Sequence, residues 1–168
     1  MADARTTWDS FPEDRFGAMG GMPTAQIIRV LAADVGVVVK DVDAMVHVKE
    51  QAFLTFLDAI VAIKPVVAIA EAHRGKLPIA VASGGYRDTI TRTLDRIAVR
   101  HWFDAMVTAE DTTRHKPEPD VFLEAARRLG VNAAACVVFE DTDIGLEAAR
   151  RAGMHGVDVR PWVRGMKG

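Results

Sequence analysis

From Pro78 to Val159, short apolar runs alternate with amphipathic stretches of helical period, and no other feature constrains the fold of this chain as strongly. The runs "PIAVA" (78–82), "AMVT" (105–108), "CVVF" (136–139) and "GVDV" (156–159) have the length and residue types of buried strands. Between them the periodicity predicts helices over Arg87–Ile97, Asp120–Leu129 and Ile144–Ala152. Strands joined through helices of this size build a parallel sheet, so the expected class is α/β. Two of the helices end in nearly the same words, Ala-Ala-Arg-Arg-Leu-Gly (125–130) and Ala-Ala-Arg-Arg-Ala-Gly (148–153). Basic side chains there meet the negative helix end and glycine takes the left-handed position beyond it, which is how helices stop and does not indicate a repeat protein.

The first 75 residues follow another rule. "TAQIIRVLAADVG" (24–36) and "DAMVHVKEQAFLTFLDAIVAI" (43–63) carry helical periodicity with no strand between them, and "KPVVAIAEAHRGK" (64–76) predicts a helix leading back to the sheet. A helical subdomain therefore precedes the α/β part, with the junction near Ile63–Pro65 and no structure assigned to the opening dozen residues. At 168 residues, 49% hydrophobic and 26% charged, the chain has the size and composition of one ordinary domain with a sizeable core. Its net charge of −2, with basic residues scattered among acids, offers no field for a nucleic-acid backbone. No run of about 18 or more apolar residues predicts a membrane span, and the N-terminus lacks the basic-then-apolar order of a signal peptide. The single cysteine, Cys136, lies inside an apolar run, which predicts a buried thiol and suits a reducing cytoplasm.

In open parallel sheets, ligands bind beyond the carboxyl ends of the strands. Three such ends carry chemistry here. After "PIAVA" come Ser83, Gly84 and Gly85, a hydroxyl and two bare backbone units opening a helix, which suits an anion such as phosphate; a tight turn capped by Ser83 is the plainer alternative. After the second run, Lys116 stands between His115 and a Pro-x-Pro pair that fixes the local backbone and aims the side chain; a solvated loop lysine is equally compatible. After "CVVF" come Glu140 and Asp141, two like charges at a strand end that call for a cation or a hydrogen-bond network. Hard oxygen ligands beside a phosphate site suggest Mg²⁺, while Asp143 is placed to cap the following helix. Hydroxyl, lysine and acid pair on successive strand ends together specify phosphoryl chemistry.

These residues also carry a resemblance. "VASGG", "HKPEPDVFLEAARRLGV" and "VVFEDTDIGLEAARRAGM" resemble the second, third and fourth motifs of the haloacid dehalogenase superfamily of phosphohydrolases, over about Phe11 to Pro161. Within it the wording is similar to the β-phosphoglucomutase-like branch and its fructose-1-phosphate phosphatase-type members. The resemblance implies a Rossmann-like core over residues 64–168 and a partial helical cap over 1–63. It further implies that Ser83 and the amides of Gly84 and Gly85 hold the phosphate of a small ester, that Lys116 neutralises it, and that Asp141 with Glu140 binds Mg²⁺. "MGGMPTAQ" resembles the substrate-facing cap loop, with Thr24 about where the mutase carries arginine and Lys49 where some relatives contact a sugar phosphate; ordinary packing of Met22, Thr24 and Lys49 is an equal alternative.

One element of the family pattern does not occur. Its nucleophile is the first aspartate of an Asp-x-Asp-Gly-Thr motif ending the first strand, and no such motif exists in the 168 residues: Asp9 and Asp14 follow no apolar strand, and Asp41-Val42-Asp43 runs into a helix. The expectation is a chain that starts inside the cap, lacking the central first strand and therefore inactive as it stands, with two neighbouring strands left holding unpaired backbone groups beside an apolar slot. A noncatalytic phosphate- or metal-binding relative and mutase-type transfer are the alternatives. A receiver-like signalling domain ranks lower, because there the acid pair comes first in the chain and here it comes last.

Overall fold

The apolar runs do become strands, but they assemble as two pairs instead of one sheet. The structure is a computed structural model and describes residues 19–164, so the opening dozen residues, Asp9 and Asp14 lie outside the described residues. Helices α1 (Thr24–Asp34) and α2 (Val42–Leu54) come first, followed by a 3-10 turn at Leu57–Ala59 and helix α3 (Lys64–His73). The rest alternates as β1 (Ala80–Ala82), α4 (Arg87–Arg96), β2 (Ala105–Val107), α5 (Asp120–Leu129), β3 (Val137–Glu140), α6 (Asp143–Arg151), β4 (His155–Asp158) and α7 (Arg160–Arg164).

The helix ends obey the residues that mark them. Gly130 closes α5 at φ 68° and Gly153 follows α6 at φ 72°, both in the left-handed region that a side chain disfavours. In the last turns, Arg127 and Arg128 fork onto Glu124, and Arg150 and Arg151 onto Glu147. Exposed pairs of this spacing stabilise by only about 0.2–0.5 kcal/mol each. Arg128 does more, since it also reaches Asp111 at 2.7 Å and the Met106 carbonyl at 2.9 Å and so ties α5 to β2.

Three local expectations need correction. The helical period over 43–63 does not give one helix: α2 stops at Leu54, where the Thr55 hydroxyl donates back to the Ala52 carbonyl at 2.7 Å and competes with continuation. The cap of α6 is Thr142, whose Oγ1 accepts from the Gly145 N–H at 3.1 Å, while Asp143 is the first helical residue and pairs with Arg160. Cys136 is half-buried, packed against the core with its thiol on the Asn132 carbonyl, and burial pushes its ionisation upward.

β1 pairs with β2 in parallel, Ala80 opposite Ala105 and Ala82 opposite Val107; β3 pairs with β4 in parallel, Val137 opposite His155 and Glu140 opposite Asp158. No described strand joins β1 to β3. What unites the pairs is the helical layer: α5 rests on β1 and β2, α6 rests on β3 and β4, and the two helices touch. Val107, Phe122, Ala126, Ala148, Ala149 and Met154 form the centre of that core. The alanines let α5 and α6 approach the strands closely, and burial of such apolar area stabilises by about 25 cal/mol per Å². Strands of parallel sheets are ordinarily covered on both faces. Here Val137 and Phe139 remain 53% and 37% exposed, with the Phe139 ring 6.2 Å from that of Trp162. Among the described residues no helix is long and apolar enough to cross a membrane.

Candidate active site

The β1–β2 ladder runs one residue past the strand, with the Ser83 N–H on the Val107 carbonyl at 2.9 Å, and then the chain turns through Gly84 and Gly85. Ser83 Oγ accepts from the Gly85 N–H at 3.1 Å, so the hydroxyl organises the turn and does not cap α4. The cap position belongs to Tyr86, and the Arg87 N–H is instead satisfied by Glu110 at 2.9 Å. Gly84 is buried, and its N–H has no hydrogen-bond partner among the described residues. A Cβ on Gly84 would lie 2.0 Å from the Gly21 carbonyl oxygen, so only glycine fits beneath that loop.

Lys116 is aimed. It is 4% exposed, held in a turn closed by the Glu118 N–H on the His115 carbonyl at 2.9 Å, with a cis Lys116–Pro117 peptide. Its ammonium donates to Glu140 Oε2 at 2.7 Å and sits 4.7 Å from the Phe122 ring centre, as no solvated loop lysine does. Glu140, itself 8% exposed, uses its other oxygen to accept from the Thr142 hydroxyl at 2.8 Å and from the backbone N–H groups of Asp141 and Thr142. Burial works against its charge, but Lys116 and these donors outweigh it and hold the carboxyl below the ordinary carboxylate range. Glycine is needed at 145 for the same reason: a Cβ there would lie 2.1 Å from the Glu140 carboxyl carbon.

The acid pair is thereby divided. Glu140 is the counterion of Lys116, whereas Asp141 is exposed and makes no ion pair with a described cation. Removal from water, and then the like charge of Glu140, push the Asp141 carboxyl above its ordinary value. Both are hard oxygen donors, the type magnesium prefers, and Asp141 is the one with capacity to spare. No group of three or more His, Cys, Asp or Glu gathers around a point among the described residues, so the match to the ion is one of donor type alone.

Gly21 is the residue through which the parts meet. Its carbonyl lies against Gly84, and a Cβ on it would be 3.5 Å from Lys116 Cδ and 3.2 Å from Thr142 Oγ1. The Ser83 turn, Lys116 and the end of β3 therefore stand around one loop residue. Thr24 and Lys49 do not join them. Both turn to Glu50, Thr24 Oγ1 at 2.8 Å and Lys49 Nζ at 3.0 Å, and the Thr89 hydroxyl of α4 donates to the same carboxylate. A cleft of about 390 Å³ opens alongside, lined by Gln26 and Arg29 of α1 and by Tyr86, Glu110, Thr113 and His115. Tyr86 adjoins Gly85 and His115 adjoins Lys116, so this cleft borders the anion turn; burial depresses His115 and favours its neutral form.

Sequence reasoning missed Gly21, Thr142 and Glu50. Thr142 could have been found, because a threonine three residues before a helical glycine at a strand end is a cap signal. Glu50 gave none, since its partners Thr24 and Thr89 lie 26 and 39 residues away. As a set, the hydroxyl, bare amide and buried ammonium can hold and neutralise an oxyanion.

The sequence pattern of the haloacid dehalogenase-like hydrolases matches residues 4–159. The chain is 38% identical over 143 residues to the fructose-1-phosphate phosphatase YqaB of Escherichia coli, an alignment covering 85% of this chain and 76% of that protein. Its fold matches the crystal structure of a hydrolase from Pseudomonas syringae with a TM-score of 0.78 at 26% identity, over 92% of this chain and 74% of the other. It also matches β-phosphoglucomutase from Clostridium difficile with a TM-score of 0.76 at 18% identity, over 92% and 75%, a likeness of fold alone.

Proposed function

Since this chain belongs to the haloacid dehalogenase-like hydrolase family, we propose that its site serves the hydrolysis of a small phosphate ester, with a sugar phosphate as the favoured substrate. The observation that carries the reading is that the buried Lys116 ammonium and the Gly84 amide, which has no acceptor among the described residues, both lie against Gly21, so a cation and a bare N–H stand around one loop and suit an anion. In this reading Ser83 and the Gly84 amide bind the phosphate, the Gly85 amide joining them by leaving Ser83 Oγ, and Lys116 exchanges part of its attraction for Glu140 against the incoming charge. Asp141, with Glu140 beside it, would hold Mg²⁺, which when bound supplies positive charge toward the phosphate oxygens. The cleft at Arg29 and His115 borders the turn and gives the remainder of the ester a place. Residues 1–63 act as cap and 64–168 as core, in a cytoplasmic protein.

The phosphoryl acceptor of this route is the first carboxylate of an Asp-x-Asp-Gly-Thr motif at the end of an apolar strand, to be carried as an aspartyl-phosphate, and the 168 residues contain no such motif. The same observation favours a second reading, a phosphate- and metal-binding relative without turnover. The two separate in an assay of Mg²⁺-dependent phosphate release from fructose 1-phosphate and p-nitrophenyl phosphate. The expected result is turnover by a chain extended upstream in frame and none by the 168 residues alone. Inactivity of both, with phosphate still bound, would favour the second reading.

A further inference from the structure

Glu50 lies on α2, outside the group around Lys116, yet it accepts from the side chains of two other helices, α1 and α4. One oxygen accepts from Thr24 Oγ1 at 2.8 Å and from Lys49 at 3.0 Å, and the other accepts from Thr89 Oγ1. Thr24 is the first residue of α1 and Thr89 lies in the first turn of α4, so the carboxylate sits at the positive ends of two helices. Both threonines are buried at 8% exposure. Neither helix is capped by the side chain of its own N-cap residue, and Glu50 joins their first turns through the two threonine hydroxyls. Burial opposes its charge, but the Thr89, Lys49 and Thr24 donors hold its carboxyl below the ordinary range, which keeps it ionised at neutral pH.

The placement matters because of what each threonine is joined to. Thr24 follows Gly21-Met22-Pro23, the loop whose Gly21 carbonyl covers Gly84, and Thr89 follows the Ser83-Gly84-Gly85 turn through one short stretch of helix. We propose that Glu50 is a positioning residue that latches the loop Gly21–Thr24 over the phosphate turn by bridging Thr24 to Thr89. It touches neither phosphate nor metal. It fixes the distance between the loop that roofs the pocket and the turn that forms its floor, a distance that a flexible loop would otherwise leave to chance. The inference rests on the phosphate reading of that turn, but the latch itself is a statement about two hydroxyls and one carboxylate.

The test uses the 168-residue chain, inorganic phosphate as probe, and backbone amide exchange as a second readout. Glu50→Ala is expected to speed exchange at Gly21, Met22 and Thr24 at least tenfold while leaving the amides of β2 and α5 unchanged, and to weaken phosphate binding at least fivefold. Glu50→Gln, which keeps an acceptor for one threonine, should recover most of both. If Glu50→Ala proves too unstable, the near-isosteric Thr89→Val removes one arm of the bridge and should reproduce the local effect. Unchanged exchange at residues 21–24 in both variants would overturn the latch. Faster exchange in a chain that binds no phosphate even as wild type would uphold the latch and instead sink the phosphate reading.

Discussion

Lys116→Met is expected to destabilise the chain by about 3–5 kcal/mol at pH 7, because it strands a carboxylate that is 8% exposed without its cation. The pH dependence should change sign with it. In the wild type, Lys116 and the neighbouring donors hold Glu140 below its ordinary value, so its contribution is present above the usual carboxylate pKa and is lost as pH falls through the depressed one. In Lys116→Met the opposing influence, burial, is left in charge, the folded-state pKa rises above the unfolded one, and the variant recovers stability as pH falls toward 5. Glu140→Leu added to Lys116→Met should restore most of the stability by removing the stranded charge, since apolar replacement of both partners is often neutral. It should not restore phosphate binding. Urea midpoints at pH 7 and 5 check all of this, and a single-variant loss below about 1 kcal/mol would mean that the pair behaves as a solvated one.

Gly84→Ala is expected to weaken phosphate binding by tenfold or more, about 1.4 kcal/mol or greater. The added methyl would occupy a point 2.0 Å from the Gly21 carbonyl oxygen, and the obstacle is backbone, which cannot swing aside as a side-chain end can. The loop must lift, and overpacking of that kind costs about 1–3 kcal/mol of stability. Gly156→Ala is the control: its Cβ would meet the flexible end of Leu146 at 3.2 Å, so it should shift stability slightly and leave binding alone. Equal effects of the two substitutions on binding, read by calorimetry, would contradict a closed loop over the turn.

Much of the fold was legible because it is written in local patterns. The strands begin and end within two residues of the apolar runs, and Gly130 and Gly153 stop their helices for reasons visible in the words that contain them. Ser83, Lys116, Glu140 and Asp141 stand out in the sequence because strand ends in parallel sheets are where ligands bind, so that position in the pattern carries chemical meaning. What was not legible depended on contacts between distant segments. Glu140 reads as half of a metal-binding pair in sequence, and only the 2.7 Å approach of Lys116 reassigns its charge. Thr24 and Lys49 enter only through the resemblance, with ordinary packing an equal alternative, and their shared bond to Glu50 is a contact that no local pattern announces. Gly21 lies within the cap-loop segment but nothing in the sequence singles it out, and its place in the site comes from the close approach of a segment 63 residues away, at Gly84.

The central claim is that the Ser83 turn, Lys116 and the acids after β3 form one anion pocket. A titration of the isotopically labelled 168-residue chain with inorganic phosphate, followed at its backbone amides and at the Lys116 ammonium with and without Mg²⁺, tests it most directly. The account predicts saturable shifts confined to Gly84, Gly85, Lys116, Asp141 and Thr142, tightened by Mg²⁺. Shifts spread over the surface arginines of α5 and α6, with Gly84 and Lys116 unmoved, would contradict it.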